Sequence, residues 1–132
     1  MYYNPPMAAD MQDLQRYNEH LNNVKQYIRE HINQLLNWGV LAAVAGFSVP
    51  HFHRIFTTHM GENISNYVRR VRLERAGRKL RLGAVDITEV AFAAGYDTHA
   101  AFSKAFKQQY GLSPSEFRQL TCNAATDILM KG

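Results

Sequence analysis

The sequence predicts an all-α fold built from two helix-turn-helix subdomains joined by a long linker helix. Three observations carry this. Apolar residues recur at steps of three and four along most of the chain, the period of one helix face. Glycines fall where those stripes end, as turns between helices need. The chain also repeats itself: Gly46-Phe47, Phe52, Phe56 and Gly61 match Gly95-Tyr96, Phe102, Phe106 and Gly111, with a separation of 49 before the turn and 50 after it. The single-residue change falls in the turn, where an insertion is tolerated best.

In chain order, residues 1–12 read as a flexible lead-in. Leu14, Tyr17, Leu21, Val24, Ile28, Ile32 and Leu35 then mark one stripe of a long amphipathic helix. Asn37 is a good N-cap for a second helix through Val40–Ala45, and Gly46 supplies the turn. Ser48 is the expected cap of a third helix that buries Phe52, Ile55 and Phe56, with Pro50 tolerated in its first turn, ending near Gly61. Asn63 can cap a fourth helix through about Leu82, closed by Gly83. Asp86-Ile87-Thr88-Glu89 is a capping-box pattern opening a fifth helix to Ala94. Helix, turn and helix then recur, and even the exits agree, Ile64-Ser65-Asn66-Tyr67 aligning with Pro114-Ser115-Glu116-Phe117. The subdomains are expected at about 13–62 and 84–120, with the linker at 63–83 and a tail at 121–132.

Composition narrows the function classes. The chain has 132 residues, 46% of them hydrophobic and 20% charged, enough for a core without disulfides or metal. No apolar run approaches the ~18 residues of a membrane span, and the start, Met1-Tyr2-Tyr3-Asn4-Pro5-Pro6, lacks the pattern of a secretory signal, so a soluble cytoplasmic protein is expected. Cys122 stands alone and has no His and acid at suggestive spacing, which leaves it a tail thiol rather than a nucleophile. The net charge of +4 is a weak pointer to a polyanion, but its distribution is more telling. Residues 1–36 hold three basic and four acidic side chains, whereas residues 37–118 hold eleven basic and six acidic. The positive charge sits where a nucleic-acid face would need it.

The stretch Ile87-Thr88-Glu89-Val90-Ala91-Phe92-Ala93-Ala94-Gly95-Tyr96, followed by Phe102-Ser103-Lys104-Ala105-Phe106-Lys107 and Gly111-Leu112-Ser113-Pro114-Ser115-Glu116-Phe117-Arg118, closely resembles the signature of the AraC/XylS family. The likeness covers roughly Leu21 to Leu120. It implies a domain of about seven helices and a sequence-specific, bacterial-type transcription regulator of double-stranded DNA, with RNA polymerase as a further partner. It also implies a reading helix in each subdomain. A joining helix of about 20 residues spans ~30 Å, close to the ~34 Å between successive major-groove faces, so one monomer could address both without a palindromic site.

By position in that signature, the first reading helix presents Pro50, His53 and Arg54 to base edges, and the second His99, Ala100, Ser103 and Lys104. Readout should concentrate on Arg54, His53 and Lys104, because Arg and Lys pair with guanine acceptors, while Pro50 and Ala100 offer no side-chain hydrogen bond. Ala101 replaces a frequent aromatic of the family. Ser48, Thr57 and Lys107 complete the DNA-binding set. Arg69, Arg70, Arg72, Arg75, Arg78, Lys79 and Arg81 load the joining helix with seven cations against Glu74 alone, and Arg72 and Arg75 are assigned to phosphates.

Other readings are weaker. His51, His53, His59 and His99 could suggest a metal, but an i, i+2 pair diverges on a helix and no Cys or acid completes a tetrahedral set. Trp38, Phe47, Phe52, Phe56, Tyr96, Phe102 and Phe106 could stack single-stranded bases, but their helical spacing favours a core. With no catalytic constellation, no cofactor and no metal site, an enzyme is not expected. The alternative from another class is a helical protein-interaction module with only non-specific DNA affinity. The family's usual sensor or dimerisation domain is missing here, so the chain is expected either to stand alone as a monomer on DNA or to be excised from a longer regulator that dimerises through a C-terminal domain.

Overall fold

The computed structural model describes residues 7–82 and 85–131, with side chains from residue 15 to 130. Among them are eight α-helices and no strand: α1 (Met7–Glu30), α2 (Trp38–Ala45), α3 (Val49–Met60), α4 (Ile64–Leu80), α5 (Ile87–Ala93), α6 (His99–Tyr110), α7 (Pro114–Arg118) and α8 (Cys122–Lys131). The all-α expectation holds, and α8 is the addition to the expected seven. The chain divides into two compact units within α4, at Tyr67 and Val68.

In the first unit, Leu21, Val24 and Ile28 of α1 are buried as the stripe predicts, and α1 packs on α2 and α3. The helix is shorter at its end than expected, however. It stops at Glu30, the backbone turns over 31–34, and Leu35 is 98% exposed and leaves the stripe. At the other end α1 begins at Met7, so the helix takes in residues 7–12 of the expected lead-in. Asn37 caps α2 through Oδ1, which accepts from the Gly39 and Val40 amides at 2.7 and 3.3 Å. Gly46, at φ +80°, ends it in the left-handed region that a side chain rarely adopts. Phe52 and Phe56, one turn apart on α3, are fully buried, whereas Ile55 is half-buried.

The second unit repeats this packing. From α4, Leu73, Ala76 and Leu80 enter the second core as one stripe, each 52 positions after Leu21, Val24 and Ile28 of α1. The C-terminal part of the linker helix is therefore the first helix of the second unit. Phe102 and Phe106 are fully buried like Phe52 and Phe56. Phe106 meets Phe117 at 5.3 Å and 71°, as Phe56 meets Tyr67 at 5.4 Å and 73°. Asn63 and Asp86 cap α4 and α5 through the Asn66 and Thr88 amides. The reciprocal capping box is found at α7, between Ser113 and Glu116. Hydrogen bonding to its carboxyl from the Ser113 amide, and from the Ser113 side chain, holds Glu116 below its usual range. The predicted closure at Gly83 lies outside the described residues; α4 itself ends at Leu80.

The tail expected at 121–132 folds over 122–131 as α8. Thr121 caps it through the Ala124 amide, Ala125 is buried in the second core, and Ile128 and Leu129 pack against that core. The spacing of 125, 128 and 129 is one face of a helix. Leu129 lies directly over Gly77 of α4, where an added Cβ would sit 2.7 Å from Leu129 Cδ2. A glycine inside a helix is costly, and here it makes room for the α8 side chain. No described helix is long and apolar enough to cross a membrane.

Candidate nucleic-acid interface

The first candidate face starts at Ser48, whose extended backbone (φ −67°, ψ 159°) opens α3. Ser48 occupies the cap position as expected, but its side chain makes no capping hydrogen bond; its carbonyl accepts from the Phe52 amide at 2.8 Å. Pro50 follows in the first turn, where the missing N–H costs nothing. With Phe52 and Phe56 anchored in the core, the i, i+3, i+4, i+7 set Pro50, His53, Arg54 and Thr57 forms a separate face. Pro50, Arg54 and Thr57 are exposed. His53 is half-buried, its ring edge-on to Trp38 at 6.3 Å and 84°, so it stands on an aromatic floor supplied by the start of α2.

The second face repeats the first 50 residues later. Thr98 caps α6 by accepting from the Ala101 amide at 3.0 Å. Ala100, Ser103, Lys104 and Lys107 share the same spacing as Pro50, His53, Arg54 and Thr57. His99, Ala100, Ala101, Lys104 and Lys107 are exposed, and Ser103 is half-buried. Neither α3 nor α6 contains an Asp or Glu. An exposed helical face with cations and hydrogen-bond donors, and without a carboxylate to repel phosphate, is the surface a duplex groove requires.

The other candidates are resolved by packing. His51 and His53 diverge, His51 meeting Phe47 at 4.9 Å while His53 meets Trp38. Among the described residues no three His, Cys, Asp or Glu side chains are placed to hold a metal ion. Burial of Phe52, Phe56, Phe102 and Phe106 removes them from any base-stacking platform, and Trp38, Phe47 and Tyr96 are half-buried against neighbours.

The cations of α4 separate by environment. Arg75 and Arg78 are both exposed, and Arg78 pairs with Glu74 one turn back at 2.8 Å. Arg81 donates to the carbonyl oxygens of Arg118, at 3.1 Å, and Leu120. Arg118 in turn donates from Nε to the Leu80 carbonyl at 3.3 Å and from Nη2 to that of Val85. These two arginines satisfy backbone acceptors around the end of α4 and the exit of α7. Burial pushes the Tyr110 phenol up to about 12, with Glu74 adding to it and Arg70 and Arg78 opposing.

Arg72, assigned to phosphate by sequence, is half-buried over the second turn. A side chain added at Gly95 would lie 3.7 Å from Arg72 Nη1. Burial raises the Tyr96 phenol, and the charges of Arg69 and Arg72 oppose that rise. In the first unit the corresponding place is taken by His20, a residue the sequence did not single out. An added side chain at Gly46 would lie 3.9 Å from His20 Cε1, and the His20 ring meets Phe47 at 5.6 Å. The signal that could have found it is the second register of the repeat, 52 residues between the stripes of α1 and α4.

The helix-turn-helix domain family model matches residues 41–120. Regulatory protein SoxS of Escherichia coli K12 is 35% identical over 92 residues, covering 70% of this chain and 86% of that protein. Among solved structures, an AraC-type transcriptional regulator from Chromobacterium violaceum has a TM-score of 0.72 at 24% identity, covering 76% of this chain and 90% of that one. The DNA-binding domain of AdpA, a global transcriptional factor solved with a target DNA, has a TM-score of 0.66 at 28% identity over 74% of this chain and 88% of that one.

Proposed function

The chain belongs to the AraC/XylS family of helix-turn-helix transcription regulators, not to a family of enzymes, and from that premise we propose that it binds double-stranded DNA sequence-specifically with α3 and α6 in successive major-groove faces. The observation that carries this is the pair of solvent-facing sets at one spacing, Pro50, His53, Arg54 and Thr57 on α3 and Ala100, Ser103, Lys104 and Lys107 on α6, on helices free of carboxylates. DNA binding by AdpA, whose fold the chain shares, supports it.

Arg54 pairs bidentately with a guanine, and His53, oriented by Trp38, donates to a neighbouring base edge. Lys104 reads as a point charge, with His99 and Ser103 donating beside it. Pro50 and Ala100 contribute apolar contact, as to a thymine methyl group. Ser48, Thr57, Lys107 and Arg75 bind phosphate and set the register. The chain acts in the cytoplasm as a monomer on an asymmetric site, with RNA polymerase as its further partner.

Selection from a pool of random duplexes, followed by groove-specific protection of the selected site, tests this reading. Protection on one face of the duplex at two major-groove segments about one helical turn apart, without palindromy, is the expected result. Recovery of no preferred sequence overturns it and leaves a helical interaction module with non-specific DNA affinity.

A further inference from the structure

We propose that His20 and Arg72 are equivalent positioning residues, each seated over the turn glycine of its own unit so as to hold the reading helix that follows. The two do not align in the 49- and 50-residue registers of the turns and reading helices. They align in the 52-residue register of α1 and α4, each directly preceding the first residue of a buried stripe, Leu21 and Leu73. The turns they cover are built alike. In the first, the Gly46 and Phe47 amides donate to the Ala43 and Ala42 carbonyls at 3.0 and 2.9 Å; in the second, the Gly95 and Tyr96 amides donate to Phe92 and Ala91 at 3.0 and 3.1 Å. Gly46 and Gly95 both have positive φ, 80° and 93°.

Each glycine permits the left-handed backbone, and the imidazole or guanidinium lies beside it, at ordinary contact distance from where a Cβ would sit, 3.9 Å for His20 Cε1 and 3.7 Å for Arg72 Nη1. The aromatic residue that follows extends the contact. Phe47 meets both His20, at 5.6 Å, and His51 of α3, at 4.9 Å. Tyr96 packs on Phe102 of α6 at 5.7 Å, and its phenol lies within the field of Arg72. Each contact therefore runs from the first helix of a unit, across the turn, to the reading helix. Arg72 acts through the backbone of the turn rather than as a phosphate contact.

The base-preference part of this inference rests on the DNA-binding reading above; the seating of the turns does not. Two readouts on the full chain keep them apart. Without DNA, amide hydrogen exchange should accelerate several-fold at Gly95 and Tyr96 in Arg72→Ala, and at Gly46 and Phe47 in His20→Ala, with interior amides of the opposite unit unchanged. With the selected duplex, each variant should relax discrimination only at the base pairs read by its own unit. Arg72→Ala should keep the wild-type salt slope, where loss of a phosphate contact would lower it by about 0.9. Arg72→Lys, which keeps the charge and loses the planar fork, should behave like Arg72→Ala. Exchange that rises uniformly, or an altered salt slope with turn exchange unchanged, overturns the proposal. A wild-type chain without base preference overturns the DNA reading instead, and turn exchange then tests the seating by itself.

Discussion

Arg81 and Arg118 are cross-tied through the backbone: Arg81 donates to the carbonyl of Arg118, and Arg118 donates to that of Leu80, the residue immediately before Arg81. The last carbonyls of a helix have no partner within it, and a cation there also complements the helix dipole. Each arginine thus ties the end of α4 to the exit of α7. Replacing either by Ala should destabilise the chain by ~1.5–3 kcal/mol, the range for hydrogen bonds from charged groups. The double variant should lose less than the sum, because the two share one network. Urea unfolding of the three variants checks this, and strict additivity would contradict it.

Gly77 and Leu129 make a second coupled pair. In an open helix Gly→Ala stabilises by ~1 kcal/mol, but a Cβ at Gly77 would meet Leu129 Cδ2 at 2.7 Å. Gly77→Ala alone should therefore bring less than that gain, because α8 has to shift. In a Leu129→Ala background the same change should recover most of it. Thermal melts of the four species give the coupling directly, and an equal effect of Gly77→Ala in both backgrounds would count against the packing of α8 on α4.

Tyr110 predicts a pH dependence at the alkaline end. Its folded pKa, about 12, lies above the unfolded value near 10, so the neutral phenol is the form that folding favours. The stability it contributes is fully present below pH 10 and is lost as pH rises from 10 towards 12. Stability measured across this window should fall less steeply in Tyr110→Phe than in the wild type. Identical slopes would show that the phenol titrates alike in both states.

The two reading faces should not contribute equally. Arg54 offers a rigid fork for a guanine, while Ala100 and Ala101 offer no side-chain hydrogen bond and Lys104 only a point charge. Arg54→Ala should cost ~1–3 kcal/mol on the selected site and relax discrimination at one base pair. Lys107→Ala should weaken all sequences about equally. Affinities for the site and its single-base variants check the order of the two heads, which is reversed if Lys104→Ala shifts base preference more than Arg54→Ala.

Much of this was legible in the chain because it depends on local pattern. Asn37, Asn63 and Asp86 cap helices where a side-chain oxygen beside an apolar run says they should, and Phe52, Phe56, Phe102 and Phe106 fill two cores through one repeated spacing. What was hidden depends on partners distant in sequence. Nothing local to Arg81 or Arg118 shows that Arg81 reaches the exit of α7 or that Arg118 reaches the end of α4, and His20 gains its place only because α1 packs on a turn that follows it in the chain. The tail showed a helical face at Ala125, Ile128 and Leu129, but its burial depends on the notch at Gly77. Leu35 fitted the stripe by spacing alone, since the helix ends before reaching it.

Sequence-specific recognition of duplex DNA is the centre of this account, and its most direct test is competition between the selected duplex and a scrambled duplex of equal length, followed across salt concentration. The selected duplex should bind ~10³-fold or more tighter, with the logarithm of affinity falling linearly with the logarithm of salt. Equal affinity for the two duplexes, or binding indifferent to salt, would contradict it.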